Sequence, residues 1–426
     1  MNASKRPFSD VFLAPSEDGH RFPVKGVDVR QNLFRILLGL LLLLSACVPR
    51  VKPPVTAVQA LVKLRPHEFP DFTNDISNNS LQVAIDQSLN YLKRLDPSTP
   101  FRFGPDTYTA SHLVKSLRTL HELAQNPLSD DDLKKAIETS FCVYKSVGRN
   151  GRGQVLFTGY YEPTLRASLQ PSPDYPHPIY RKPDDWVSIN MGLFGPKYKS
   201  ERIIGRHVNQ TVMPYFSRED IDSKGHLQKK GYELLWVSDQ VALFFLHIQG
   251  AGQVTLEDGT VLHVNYDCNN GRPYRSIGRL LINEGVISKE EMSMQRIYSY
   301  LRDHPEKIEH VLNHNERYVF FRLVEHGPLG AIEALLTPGR SIATDLRLFP
   351  RAAPAFIQTE KPLVGKDGRI VSWETFGRFV FNQDTGGAIR GPGRVDLFWG
   401  NGPYARVAAG HMKQNGTLYF LVLKET

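Results

Sequence analysis

Two aspartates bracket the run richest in chemistry-bearing residues: Gln383-Asp384-Thr385-Gly386-Gly387-Ala388-Ile389-Arg390-Gly391-Pro392-Gly393-Arg394-Val395-Asp396-Leu397-Phe398-Trp399-Gly400. Glycines fill four of the positions between them, so backbone can come close to a ligand there. Each Asp stands at the edge of an apolar, strand-like run, which places both carboxyls at one rim. Paired carboxyls at a rim suit general acid and base work. Aspartates in such loops also bond to their own turns, and composition alone leaves both readings open. Asp384-Thr385-Gly386 has the form used by aspartic proteases, but that chemistry needs two such motifs and no second Asp-Thr-Gly or Asp-Ser-Gly occurs. The 14 histidines include no His-Glu-x-x-His, and His247, His263, His304, His310 and His326 are not in ligand spacing, so no metal and no cofactor is expected.

The elements that must position these residues alternate in texture along the chain. Leu81, Ile85, Leu89 and Leu92 have helical spacing; Leu113, Leu117, Leu120 and Ala124 repeat it after Ser111 as cap; a third helix after Ser129 carries Leu133, Ile137 and Phe141. From Val155 the chain turns β-rich, and prolines 163, 171, 173, 176, 178 and 183 predict a long irregular connection. Gln253 to Val264 reads as a hairpin about Asp258-Gly259. Ser288 with Glu291 reads as a capping box opening a helix with Met294, Ile297 and Leu301. After Gly339 short strands return at Ser341 to Asp345, Ala355 to Gln358, Arg378 to Gln383, Val395 to Phe398 and Leu418 to Leu423. Tight turns at Asp367-Gly368 and Asn415-Gly416 complete the spacing of a small barrel.

With 426 residues, 41% hydrophobic and 23% charged, the chain is long enough for two cores. The formal charge of +8 suits an acidic polymer or membrane surface, but no clustered basic run suggests nucleic acid. Ile36 to Leu44 is apolar, follows Arg30 and Arg35, and is too short to span a bilayer, the layout of a secretory signal peptide. Leu44-Ser45-Ala46-Cys47 resembles a bacterial lipobox, which would make Cys47 the lipidated first residue; Val48 after it, rather than Asp, points to the outer membrane, facing the periplasm. The polar stretch Met1 to Val29 is unusual ahead of such a signal, so the true start is expected downstream of Met1. Cys142 and Cys268 are expected as free thiols.

The aspartate run, with Arg340-Ser341-Ile342-Ala343-Thr344-Asp345 upstream, resembles the three-aspartate domain of the membrane-bound lytic murein transglycosylases of the MltA type. Phe157-Thr158-Gly159-Tyr160-Tyr161-Glu162-Pro163 and His247-Ile248-Gln249-Gly250-Ala251-Gly252-Gln253 resemble the same family, with His247 standing where Gln is more usual. The resemblance implies a mainly β fold with an N-terminal helical part. A double-psi β-barrel domain and a second, inserted β-domain would enclose a substrate groove. Its boundaries would be a signal peptide 1–46, a lipid-anchored tether 47–79, the helical part of the barrel domain 80–157, the inserted domain 158–334 and the three-aspartate barrel 335–426. It implies a peptidoglycan lytic exotransglycosylase, a carbon–oxygen lyase, although the residues do not distinguish cutting at ends from cutting within strands. The bond cut would be the β-1,4 link from N-acetylmuramic acid to N-acetylglucosamine, leaving a 1,6-anhydromuramoyl end during cell-wall turnover. Asp396 would be the acid/base, tuned by Asp384 and by burial beside Trp399, and Asp345 would brace the barrel. Thr158, Tyr160, Tyr161, Gln249, Gly250 and Trp399 would contact the glycan strand. The contrary reading is a lipoprotein that holds glycan without cutting it.

Overall fold

A computed structural model describes residues 55–426 apart from 77, 127, 199–200 and 426. The signal peptide, the lipobox with Cys47 and the first part of the tether lie outside the described residues. Residues from 54 onward form one compact unit.

Three amphipathic helices dominate the N-terminal part of the described chain: Asn78–Leu92, Ala110–Gln125 and Asp130–Ser140. Their leucines, Leu81, Leu89, Leu113, Leu117 and Leu120 among them, share one apolar core with the strands of a closed barrel. Around its circumference the barrel runs Lys413–Leu423, Pro354–Val364, Ile370–Asp384, Ser341–Ala343, Arg394–Phe398 and Val155–Tyr160. Residues 413–416 close the ring by pairing with 155–158. Five of these six strands come from the last fifth of the chain. The sixth, Val155–Tyr160, arrives from far upstream and runs parallel to Arg394–Phe398. It crosses the boundary expected between residues 157 and 158.

A second, open sheet follows the order Val319–Val324, Val261–Asn269, Ala251–Thr255, Thr164–Ser168, Glu233–Val237, His177–Tyr180. Against it packs helix Gln240–Gln249, capped by Asp239 at its start and by Gly250 at its end. Gly250 has φ +84°, a left-handed conformation that glycine adopts without a Cβ penalty. A smaller three-stranded sheet, Trp186–Asn190, Arg202–Val208 and Thr211–Pro214, hangs from the same region.

Several local expectations need correction. The second helix is capped by Thr109, whose hydroxyl accepts from the His112 amide at 3.3 Å; Ser111 already lies inside the helix. Phe141 belongs to strand Phe141–Ser146 rather than to the third helix. The proline-rich connection contains two strands, and Pro178 is tolerated because its strand is the outermost of the second sheet, where an amide donor is dispensable. Ser288 and Glu291 cap a single turn, whereas the helix Met294–Asp303 starts at Ser293, whose hydroxyl accepts from the Arg296 amide. Asn415-Gly416 is not a turn. It lies within a strand that passes from the 155–160 strand to the 354–364 strand, and a Cβ on Gly416 would come within 2.2 Å of the Gln358 carbonyl. The hairpin about Asp258-Gly259 and the turn at Asp367-Gly368 form as expected.

Candidate active site

The three-residue strand Ser341–Ala343 is wedged between Ile370–Asp384 on one side and Arg394–Phe398 on the other. Its Ala343 is the register partner of Asp384 across one edge and of Asp396 across the other. Asp396 in turn pairs with Thr158. Lateral neighbours in a sheet point their side chains to the same face, so Asp384, Asp396 and Thr158 emerge in one transverse row. Two strand spacings of about 4.8 Å separate the aspartate backbones by roughly 10 Å.

Period-two alternation sorts the Arg394–Phe398 strand cleanly. Arg394, Asp396 and Phe398 line a cleft of about 660 Å³, while Val395 and Leu397 are wholly buried in the barrel core. Trp399 does not reach the cleft. It lies behind Gly159, where a Cβ would come within 2.6 Å of the indole, and its ring meets Tyr404 edge to face. The other wall of the cleft comes from the second sheet and its helix, with Gln249, Gly250, Asn265, Tyr266 and Arg317. Thr158, Tyr160 and Tyr161 complete the barrel side. The Gln249 side chain accepts from the Tyr161 amide at 3.1 Å and so stitches the two walls together.

Asp384 and Asp345 are held by different bonds, most of them from distant parts of the chain. Gln383, just before Asp384, donates to the Ala84 carbonyl at 2.8 Å and to Ser88 at 2.9 Å, pinning the strand end to the first helix. Asp384 itself accepts from the amides of Thr385 at 2.8 Å and Ala331 at 3.0 Å. Asp345 is fully buried away from the cleft, accepts from Arg347 at 2.7 Å and from the Gly391 amide at 2.9 Å, and so fastens the glycine loop to the barrel.

These settings drive the three acids apart. Burial raises the Asp396 carboxyl to about 6, against the opposing pull of the Arg394 guanidinium. Burial also raises Asp384 to about 6; the Thr385 amide, the Tyr160 hydroxyl and the Ala331 amide oppose it, and the charge of Asp396 adds to it. At Asp345 burial again pushes upward, but Arg347 and the Gly391 amide outweigh it and leave the carboxyl below its ordinary value. The upward push expected at Asp396 from Trp399 is thus supplied instead by general burial in the cleft wall.

Polar atoms without hydrogen-bond partners concentrate along the row: Thr158 Oγ1, Arg394 Nε and Asp396 Oδ1 are all buried with no hydrogen bond. Buried polar atoms are normally satisfied, so this density marks a surface made to meet ligand oxygens and hydroxyls. Residues without an expected role also line the cleft. Glu162 is buried and accepts from Gln253 at 3.0 Å and Asn401 at 3.3 Å, tying the strand linking the walls to both. It lies inside the quoted Phe157 to Pro163 stretch, where its charge between an aromatic and a proline is the available signal. His247 lines the cleft too, as a buried ring held by Arg218 at 3.1 Å and kept neutral by burial and that guanidinium. Arg317 carries no sequence signal at all.

Residues 156–322 match the family model described as the MltA specific insert domain, and residues 340–422 match the 3D domain. The membrane-bound lytic murein transglycosylase A of Vibrio cholerae is 30% identical over 282 residues, 66% of this chain and 68% of that protein. Its counterpart in Escherichia coli K12 is 32% identical over 277 residues, 64% of this chain and 67% of that one. A crystal structure of a membrane-bound lytic murein transglycosylase from Agrobacterium tumefaciens superposes with a TM-score of 0.69 at 30% identity, covering 85% of this chain and 98% of that chain.

A carboxyl with a raised folded-state pKa holds its proton more tightly folded than unfolded, so Asp396 makes wild type lose stability as pH rises from about 3.8 through about 6. Asp396→Asn removes that dependence. The stability of the variant relative to wild type should grow by up to about 3 kcal/mol between pH 4 and pH 8, measured by chemical denaturation; a difference independent of pH would contradict the burial of this carboxyl.

Proposed function

The chain belongs to the MltA family of membrane-bound lytic murein transglycosylases, and on that premise we propose that it is itself a lytic murein transglycosylase. In this reading it cleaves the β-1,4 bond between N-acetylmuramic acid and N-acetylglucosamine, leaves a 1,6-anhydromuramoyl end, and uses Asp396 as its acid/base. The observation that carries it is the Asp396 carboxyl raised to about 6 on the wall of the cleft. At that value about a tenth of it is protonated at pH 7, against about 0.1% for an ordinary aspartic acid. A proton donor is therefore present at neutral pH without a metal.

One acid can serve because the nucleophile is inside the substrate. A hydrolase needs a second carboxyl to activate water or attack the sugar. Here the carbon 6 hydroxyl of the same muramic acid would attack, and a fitted intramolecular reaction is worth effective molarities of roughly 10⁵ M or more. Asp396 would give its proton to the leaving oxygen and then take one from the attacking hydroxyl, ending as it began. Asp384 would tune and position it, and Asp345 would brace the glycine loop. Thr158, Tyr160, Tyr161, Gln249 and Gly250 would meet the glycan, with Trp399 supporting the wall from behind.

The same reading takes the closed barrel as the double-psi type and residues 158–334 as an inserted domain. It also takes Cys47 as the lipid anchor in the outer membrane, which fractionation of a Cys47→Ala variant tests: the variant should leave that fraction, and its persistence there would refute the anchor.

Asp396→Asn keeps the shape of the side chain but can neither deliver nor accept the proton. Acid/base groups contribute about 10² to 10⁴ in rate, and one residue serving both steps should cost at least the upper part of that range. Digests of purified murein analysed by mass spectrometry should show wild-type products ending in anhydromuramic acid, lighter by one water than reducing ends. Reducing ends as the main product, or near-normal activity in the variant, would overturn the mechanism.

A further inference from the structure

Acid–base chemistry on a neutral sugar does not explain the arginines of the cleft. Arg317, Arg322, Arg390 and Arg394 all line it. Arg322 is neutralised by Glu333. Among the described residues, Arg317 and Arg390 have no ion pair, although each lies within reach of the other's charge. The Arg317 guanidinium is half-buried against the glycine loop, 3.5 Å from the place a Cβ on Gly387 would take. Arg394 is ion-paired to Asp396 Oδ1 at 3.8 Å, a long contact that leaves its buried Nε without an acceptor. Glu162, Asp267 and Asp384, the remaining acids on the lining, form no ion pair with any of the three among the described residues.

Arg317, desolvated by burial, and the exposed Arg390 carry like charges within reach of each other, an arrangement that is costly unless an anion joins them. Sugar hydroxyls and acetamido groups carry no charge, whereas the planar guanidinium fork matches a carboxylate with two parallel bonds. We propose that Arg317, Arg390 and Arg394 form an anion subsite that grips free carboxylates of the peptide stem borne by muramic acid. This rests on the murein reading above and adds to it a chemical basis for choosing among strands: stem-bearing glycan with free carboxylates is bound, and glycan whose stems are amidated is bound less well.

The test uses the mature protein carrying Asp396→Asn, so that strands are not consumed, and measures binding to three glycan preparations of equal length. One bears stem peptides with free carboxylates, one bears the same stems amidated, and one is a chitin strand, which has neither stems nor lactyl carboxylates. The free-carboxylate strands should bind about tenfold or more tightly than the amidated ones, since hydrogen bonds to charged groups exceed neutral ones by that order. Adding Arg317→Gln and Arg390→Gln together should collapse the ratio to within about twofold, while Arg317→Lys, which keeps the charge, should restore part of it. A ratio near one before the arginines are changed would overturn the subsite, as would an equal loss on all three preparations. Carboxylate-dependent binding by a wild-type protein that releases no anhydro ends would support the subsite and count against the transglycosylase reading, so the two can fail separately.

Discussion

Ala343 fixes the register on which the site depends. A strand of three residues holds Asp384 on one side and Asp396 on the other, and any slip by one residue would turn both side chains to the opposite face of the sheet. The surrounding bonds read as devices against that slip. Ser341 donates to Gln383 at 2.6 Å, Thr344 donates to Asn382 at 2.7 Å, and Thr385 donates back to the Thr344 carbonyl at 2.8 Å. These join the short strand to its long neighbour through buried side chains. The first helix then locks Gln383, so the helical part contributes to the site without touching the cleft.

The register carries an energetic cost that the rest of the barrel offsets. A carboxyl raised to about 6 is one the fold would hold at lower cost as a neutral group, and the polar atoms of Thr158 and Arg394 beside it that lack hydrogen bonds add to the strain. The compensating core is large and apolar, running from the helical leucines through Phe356, Phe379 and Phe420. Such a division, a destabilised rim on an over-stabilised barrel, is what a site needs if its polar groups are to bond more strongly to a reacting sugar than to their own neighbours.

Much of this was legible in the residues. The glycine-rich loop between two aspartates marked the rim, and the aromatic stretch from Phe157 to Pro163 marked its neighbour, because both carry their chemistry in consecutive residues. The pairing of Asp396 with Thr158 was not legible, since it joins positions more than two hundred residues apart. The standing of Trp399 was available in principle: side chains alternate along a strand, and a residue three beyond Asp396 faces the other way. Asn415-Gly416 misled because its composition is that of a hairpin turn, whereas its glycine serves a close strand crossing that only the closed ring creates. Arg317 left no trace, because a single arginine acquires its meaning only from the loop folded against it.

The proposed chemistry turns on the state of one carboxyl in the free protein. Selective carbon-13 labelling of aspartate, with the Asp396 resonance assigned by its disappearance in Asp396→Asn, allows its titration to be followed directly by NMR. A midpoint near 6 is the expected result. A midpoint near the ordinary 3.8 would mean that Asp396 is solvated and ionised at neutral pH, and the cleft would then hold no proton to give.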